Sequence, residues 1–204
     1  GDTDSVKSIL AEMTVNSEQI AKHGKRADSI VRSMMQHAKG GVSERERVDI
    51  NQYVEEYSNL AWHGMRAREH GFQAEVKREL GNDVGSTEVL PQELGRVLLN
   101  LFNNAYYAVM MQGAGPKPTV TVSTKRLATG EIEIRVADTG PGIPADIRDK
   151  IFEPFFTTKP TGEGTGLGLS LSRDIITNGH GGSMTVGSSI SGGAEFVITL
   201  PVSA

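Results

Sequence analysis

The sequence predicts an α+β fold, a two-layer α/β sandwich in which a mixed β-sheet carries helices on one face. Apolar and polar residues alternate in several short segments, which is typical of half-buried strands. In longer segments the apolar residues recur every three to four positions, which is typical of amphipathic helices. A long helical pattern precedes these segments, so we expect an N-terminal helix ahead of the sandwich.

Composition excludes several classes of protein. The chain has 204 residues and a formal net charge of −4, so it lacks the basic footprint of a nucleic-acid-binding protein. It contains no cysteine, which excludes a disulfide framework and a thiolate metal site. No apolar run approaches the roughly 18 residues of a membrane span. We therefore expect a cytoplasmic location, with membrane attachment of a longer parent protein left open.

Residues 4–39 are predicted to form one long helix, which Lys39 and Gly40 would end. Its apolar residues repeat every seven positions, as in a coiled coil: Val6, Met13, Ile20, Ala27 and Met34. The stripe could pack on its own domain, but no second helix follows to cover it, so we expect a partner helix. The predicted domains are 1–41 for this helix and 42–204 for the sandwich.

The sandwich region divides into recognisable elements. "VDINQYVEEYSNLAWHGMRAREHG" predicts a short strand and then a helix, "FQAEVKREL" a strand, and "LPQELGRVLLNLFNNAYYAVMM" a helix with Pro91 in its first turn. "PTVTVSTK" and "EIEIRVAD" predict a hairpin. The Gly- and Pro-rich segment 139–166 is expected to hold a short helix near 145–151, and "LGLSLSRDIITNGHGG" predicts a helix before a last strand pair. The first of these helices is expected to carry an apolar face formed by Val54, Tyr57, Leu60, Ala61 and Met65.

The helix containing "NLFNNAYYAV" has asparagines on one side only. At 100° per residue, Asn100, Asn104 and Tyr107 lie opposite the apolar residues, so the amides are not core residues. The predicted core face consists of Leu94, Val97, Leu98, Leu101, Phe102, Ala105, Ala108 and Val109. A solvated polar face would explain this pattern. Alternatively, two amides one turn apart point at one ligand, and a neutral carbonyl oxygen suits Mg²⁺.

Two further motifs combine glycine with polar residues. In "VADTGPGIP" a strand ends at Asp138, whose carboxylate could accept from an exocyclic amine, or simply cap its own turn. Gly140 and Gly142 would let a flat ring approach the backbone. "GEGTGLGLSLS" opens a helix with glycines, and free N–H groups at a helix start favour an anion. It is neither a P-loop nor a Rossmann fingerprint.

Taken in order, "NLFNNA … DTGPGIP … IFEPFFTTK … GTGLGLSLS … GGAEFVITLP" resembles the catalytic and ATP-binding domain of bacterial sensor histidine kinases. This domain has the Bergerat fold, which DNA gyrase, heat-shock chaperones and mismatch-repair ATPases share. The resemblance covers roughly 48–204, and "IFEPFFTTK" is peculiar to the histidine kinases. It implies ATP and Mg²⁺ as cofactors.

The resemblance also implies roles for single residues. Asn104 would coordinate Mg²⁺, Asn100 would face the phosphates, and Asp138 would accept from the adenine amino group. Residues 141–166 would be a mobile lid, in which Lys159 could meet the γ-phosphate. Aromatic residues that would pack the lid are Phe152, Phe155 and Phe156. Other residues matching the nucleotide site are Tyr107, Gly140, Gly142, Ile143, Gly164, Thr165, Gly166, Leu167, Gly168, Gly193 and Phe196.

Position 100 separates the kinases from the hydrolytic relatives in this resemblance. The relatives carry a glutamate there, which activates water, whereas this chain has Asn100. An amide cannot take a proton at neutral pH. We therefore expect binding of Mg·ATP without efficient hydrolysis, as suits a kinase whose nucleophile arrives on another segment.

The phosphoacceptor of the family, a histidine followed by an acidic residue, is missing from the sequence. The five histidines are followed by glycine or, for His37, by alanine. Residues 4–39 instead resemble the second helix of the dimerisation hairpin, without the first. The resemblance thus implies a hairpin histidine of the same parent protein, a response-regulator receiver domain and a second copy of the parent as partners. Alternatives are a non-catalytic nucleotide-gated interaction module and an anti-sigma-type serine kinase.

Overall fold

A computed structural model gives the structure of the chain. It describes residues 7, 9–10, 12–21, 23–24, 27, 44–112, 117–160 and 163–202. The described residues between 7 and 27 are helical and all exposed, among them the apolar Ile9, Met13 and Ile20. Helix is therefore confirmed for these residues, whereas residues 28–39 of the predicted helix and its end at Lys39 and Gly40 lie outside the described residues. The partner helix stays a prediction.

A five-stranded mixed sheet forms one layer of the sandwich. Its strands are β2 (Glu75–Leu80), β4 (Thr119–Arg126), β5 (Ile132–Asp138), β6 (Ser183–Ser188) and β7 (Ala194–Leu200). The order across the sheet is β2-β4-β5-β7-β6. β2 runs parallel to β4, and the other neighbours are antiparallel. Two further strands, β1 (Glu46–Asp49) and β3 (Ser86–Val89), pair antiparallel in a small separate sheet.

Helices form the second layer. They are α1 (Ile50–Arg68), α2 (Pro91–Met111) and α3 (Gly168–Asp174), which continues as a π-helical turn over Ile175–Gly179. Asp49 caps α1 by accepting from the backbone N–H of Gln52 at 2.9 Å. Pro91 occupies the first turn of α2, as predicted. The short helix expected near 145–151 is instead two 3₁₀ turns, Ala145–Ile147 and Lys150–Phe152.

The core lies between the helices and one face of the sheet. α2 supplies its centre with fully buried Leu94, Leu98 and Phe102, and alternate residues of β5 and β7 face them. Tyr106 is also fully buried, although the sequence pattern left it out, and Ala108 is only half-buried. These apolar contacts confirm the predicted α+β sandwich with helices on one face.

Two features of α1 concern its packing: the exposure of Leu60 and the close contact of Tyr57 with α2. Leu60 is 54% exposed rather than buried, because it lies beside the buried Ala61 on the outer edge of the apolar stripe. Gly95 of α2 lies directly against the ring of Tyr57, where a Cβ would be 2.4 Å from the ring. The glycine therefore allows α1 and α2 to approach closely.

Of the helices that the structure describes, none is long and apolar enough to cross a membrane.

Candidate functional site

The polar face of α2 forms one end of the candidate site. Asn100 and Asn104 are half-buried one helical turn apart, and the Asn104 amide nitrogen lies 3.5 Å from the Asn100 Oδ1. The Asn100 amide nitrogen in turn donates to the Ser172 Oγ of α3 at 3.0 Å. The two amides thus belong to a hydrogen-bonded row that crosses from α2 to α3, and they are not simply a solvated face.

Lys159 fixes the direction of this row. Its ammonium donates to Asn104 Oδ1 at 3.0 Å. An ammonium has no acceptor, so the oxygen of the Asn104 amide must face Lys159 and its nitrogen must face Asn100. Each amide therefore presents its oxygen on the Lys159 side and its nitrogen on the Ser172 side. Burial lowers the pKa of Lys159, the nearby charge of Arg68 adds to this, and Glu163 opposes it.

The start of α3 packs against the same amides. Gly168 begins the helix, and a Cβ at this position would lie 2.4 Å from the Asn100 Oδ1. Only glycine allows the first turn of α3, with its free N–H groups, to approach the amide row this closely. The glycine-rich motif of the sequence therefore brings the helix start and Asn100 together.

Asp138 forms the other end of the candidate site, at the end of β5. It is 4% exposed, and its Oδ1 accepts from the backbone N–H groups of Gly140 at 2.8 Å and Ala194 at 3.2 Å. Burial raises the pKa of this carboxyl, and the two N–H donors act in the opposite direction. Since both donors use Oδ1, the second carboxylate oxygen is the one that can accept from a ligand amine.

Close backbone approach around Asp138 depends on glycine. A Cβ at Gly140 would lie 2.8 Å from the Cβ of Ala108, which follows Asn104 by one turn of α2. A Cβ at Gly193 would lie 2.1 Å from the backbone oxygen of Asp138. Gly142 adopts a positive φ of 74°, a conformation that favours glycine. Through Ala108 and Gly140, α2 connects the amide row to the Asp138 end.

The lid segment lies over the α2 end of the site. Tyr107 donates its hydroxyl to Glu163 at 3.0 Å, and burial, together with this bond, raises the pKa of Tyr107. Phe152 and Phe156 pack partly buried against the core. Phe155 does not, since it is 52% exposed with a positive φ of 68°, and the backbone of Phe155 lies against Gly166.

The remaining predicted residues border these two ends. Gly164 follows Glu163 and lies against Thr157 and Lys159. Thr165 Oγ1 accepts from the backbone N–H of Leu167, which is itself buried. Ile143 packs partly buried against the core. Phe196 is buried on the helix-covered face of the sheet, opposite Val136 in the register.

Residues 90–204 match the family model described as "Histidine kinase-, DNA gyrase B-, and HSP90-like ATPase". The chain belongs to this ATPase family. The matched part contains α2, the lid, α3 and the β5–β7 region, so every element of the candidate site lies within the family's ATPase domain.

Relatives of this ATPase domain include sensor proteins of bacteria. The chain is 35% identical over 200 residues to the sensor protein FixL of Bradyrhizobium diazoefficiens, which covers 98% of the chain and 36% of FixL. It is 34% identical over 186 residues to the sensor histidine kinase ZraS of Salmonella typhi, covering 91% of the chain and 37% of ZraS. The chain thus spans little more than a third of the length of these two relatives.

Solved structures with the same fold include histidine kinase ThkA. Its catalytic domain aligns with 79% of the chain at a TM-score of 0.65 and 29% identity, over 99% of that domain. ThkA in complex with the response regulator protein TrrA aligns with 90% of the chain and 49% of that chain, at a TM-score of 0.70 and 27% identity. The described fold is therefore that of a histidine kinase catalytic domain.

Three residues at the site of this ATPase domain escaped the sequence reasoning. Ser172 is 2% exposed and ends the amide row, Glu163 binds Tyr107, and Ser189 donates its hydroxyl to the backbone oxygen of Asp138 at 2.8 Å. Ser172 lies one turn after Gly168 on α3, so the helical period places both residues on one face. That period was the only sequence signal for it; Glu163 and Ser189 lie in loops, where no period applies.

Proposed function

We propose that this chain is the ATP-binding catalytic part of a two-component sensor histidine kinase. The observation that carries the proposal is that α2 brings an amide row, a glycine-opened helix start and a buried carboxylate to one surface. Adenine would bind at the Asp138 end, beside Gly140 and Gly142. The phosphates would lie at the other end, beside Asn100 and the start of α3. The names of the relatives, sensor histidine kinases among them, support this assignment.

The residues present fit a Mg²⁺ ion at Asn104. Its Oδ1 already faces a cation, the ammonium of Lys159, so the amide is oriented to accept positive charge. Asn104 Oδ1 would be the protein ligand, and phosphate oxygens and waters would complete the shell, as is usual for this hard cation. When bound, Mg²⁺ supplies neutralisation of phosphate charge.

The chain's own residues position ATP and neutralise its charge. Lys159 and the N–H groups that open α3 offer positive charge at the triphosphate end, and Tyr107 and Glu163 hold the lid over it. Asn100 cannot remove a proton from water, which keeps hydrolysis slow. Other residues proposed to line the nucleotide site are Ile143, Gly164, Thr165, Gly166, Leu167 and Phe196.

In the proposed reaction, a nitrogen of the acceptor histidine attacks the γ-phosphorus. The bond from this phosphorus to the β–γ bridging oxygen breaks, and ADP leaves with that oxygen. The acceptor would be on a hairpin helix, because none of the five histidines in the sequence is followed by an acidic residue. The phosphoryl group would then pass to an aspartate of a response regulator.

The proposal implies further features of the parent protein. The N-terminal helix exposes apolar residues, among them Ile9, Met13 and Ile20. They fit a homodimeric hairpin in which this helix would be the second helix. Since ATP is a cytoplasmic substrate, we also propose that this part of the parent protein lies in the cytoplasm.

The test combines the chain with the dimerisation hairpin of its parent, produced separately. With γ-labelled ATP and Mg²⁺, we expect acid-labile, base-stable label on the hairpin histidine. A hairpin carrying glutamine in place of that histidine is the matched control and should remain unlabelled. Tight ATP binding without transfer would contradict the kinase assignment and favour a nucleotide-gated interaction module. Label on serine would favour the anti-sigma-type kinase.

A further inference from the structure

Lys159 makes two contacts with α2, one turn apart. Its ammonium lies 3.0 Å from Asn104 Oδ1 and 4.3 Å from the centre of the Tyr107 ring. The first contact is a charge-assisted hydrogen bond, and the second has the geometry of a cation–π interaction. The lid lysine is therefore half-buried and has partners on α2.

A second lid residue holds the other side of Tyr107. Glu163 accepts from the Tyr107 hydroxyl at 3.0 Å, so lid residues 159 and 163 contact the face and the hydroxyl of one ring. Two residues before Lys159, Thr157 Oγ1 accepts from the backbone N–H of Lys159 at 3.1 Å. Gly164 lies so close to Thr157 and Lys159 that a Cβ there would be 2.7 Å from Thr157 Oγ1. Thr157, Lys159 and Gly164 thus pack together at the point where the lid meets α2.

Lys159 occupies the oxygen at which a metal ion would bind. A Mg²⁺ ligand lies about 2.1 Å from the ion. An ammonium at 3.0 Å from the same oxygen would then be a few ångströms from the ion, where two positive charges repel strongly outside bulk water. This repulsion disfavours the presence of both cations on Asn104 Oδ1 at once.

The amide row itself suits either cation. Asn104 faces Lys159 with its oxygen and Asn100 with its nitrogen, and Asn100 donates onward to Ser172. A metal ion at Asn104 Oδ1 would require the same orientation of every member of the row. Exchange of one cation for the other thus needs no amide to turn over.

We propose that Lys159 is a resident cation that competes with Mg²⁺ for Asn104 Oδ1, and that Tyr107 and Glu163 are positioning residues that hold it there. The inference rests on the proposed binding of Mg·ATP at this site and adds its regulation. Loading of the metal would release Lys159 from α2, so metal binding and movement of the lid become one event. The freed ammonium could follow the lid to the triphosphate.

The test measures ATP binding against Mg²⁺ concentration with a fluorescent ATP analogue. Lys159→Met removes the competitor, so the Mg²⁺ concentration at half-maximal binding should fall by about tenfold, the size expected for one charge-assisted hydrogen bond that need not be broken. Lys159→Arg keeps a cation and should retain most of the wild-type requirement. Lys150→Met, an exposed lysine in the same segment, is the matched control and should not change it.

The positioning residues have their own variants. Tyr107→Phe keeps the ring and loses the hydroxyl bond to Glu163, and Glu163→Gln removes the charge that faces Lys159. Both should lower the half-maximal Mg²⁺ concentration by about threefold, less than loss of the lysine itself. Hydrogen exchange of residues 154–166 gives a second readout, and Mg²⁺ should increase it in the wild type but not in Lys159→Met.

Two outcomes would overturn the proposal. The first is an unchanged or raised Mg²⁺ requirement in Lys159→Met. The second is a loss of ATP affinity by the same factor without and with saturating Mg²⁺, which would make Lys159 a phosphate ligand only. Failure of the proposed function is distinguishable from both, because the wild-type chain would then bind no ATP at any Mg²⁺ concentration.

Discussion

The backbone of Gly168 lies against the side-chain amide of Asn100, so that a Cβ at position 168 would be 2.4 Å from Oδ1. We predict that Gly168→Ala displaces the amide or the start of α3 and weakens ATP binding by about tenfold or more. The free energy of unfolding should fall by roughly 1–3 kcal/mol, as for other overpacked sites.

Gly64→Ala is the matched control for this prediction. Gly64 lies within α1, and a Cβ there would meet nothing within 4 Å. Alanine should stabilise that helix by about 0.5–1 kcal/mol without changing ATP affinity. Urea unfolding and binding of a fluorescent ATP analogue measure both effects. Equal ATP affinity of Gly168→Ala and the wild type would contradict the assignment of this helix start to the phosphates.

Asp138→Asn tests the adenine end. The asparagine oxygen can still accept from Gly140 and Ala194, while the other carboxylate oxygen becomes an NH₂ donor. The adenine amino group would then face a donor, so ATP affinity should fall roughly ten- to hundredfold. Inosine triphosphate has a carbonyl in place of that amino group, so Asp138→Asn should reduce its affinity much less than that of ATP.

Stability separates this effect from misfolding. Burial disfavours the charged form of Asp138, so the neutral amide should not lower the free energy of unfolding at neutral pH. Competition titrations with the two nucleotides give the affinities, and urea unfolding gives the stability. Parallel loss of ATP and inosine triphosphate binding would count against contact between Asp138 and the base.

Ser172→Ala tests the far end of the amide row. Ser172 is 2% exposed, and alanine would leave the Asn100 amide nitrogen without its acceptor. We predict a loss of about 1–3 kcal/mol in unfolding free energy and weaker ATP binding, because Asn100 is no longer held. Ser170→Ala, which loses only a bond to the Leu167 carbonyl of its own helix, should change ATP affinity little.

Local pattern was sufficient for most of the fold. The alternating segments became β4 and β5, and the apolar period of α2 identified most of its core residues. β3 was missed, because Ser86–Val89 is only four residues long and three of them are polar or charged. It pairs with β1, and the residues of neither strand predict this long-range contact. The sequence pattern also missed Tyr106. Its burial depends on α1, where the backbone oxygen of Ser58 accepts from the Tyr106 hydroxyl.

The sequence predicted those parts of the candidate site whose residues lie on a single helix or strand. Asn100 and Asn104 share a helix face, so their spacing indicated a common direction. The contacts of Asn100 with Ser172 and of Asn104 with Lys159 join residues 72 and 55 positions apart. Such pairs depend on how α3 and the lid fold back onto α2. Residue types alone therefore suggested the ligand groups but not the row that connects them.

His180 joins the end of the α3 region to the start of α2. Its Nε2 accepts from the backbone N–H of Leu90 at 3.0 Å, so this nitrogen must be unprotonated, and Nδ1 lies 3.0 Å from the Ile175 carbonyl oxygen, to which it donates. Burial lowers the pKa of His180 and Arg45 adds to this, whereas the bond to Ile175 and the charge of Glu93 oppose it.

The sign of the pH effect follows from this lowered pKa. Below the ordinary value of 6.5 the unfolded chain binds a proton at position 180 that the folded chain does not, so the free energy of unfolding should fall as the pH decreases from 6.5 towards the folded pKa. Above 6.5 the contribution of His180 is fully present. Urea unfolding between pH 5 and 8 should show this decline in the wild type and a flatter profile in His180→Gln. His70→Gln, at an exposed site, should keep the wild-type slope, and a His180→Gln profile parallel to the wild type would mean that protonation elsewhere controls stability in this range.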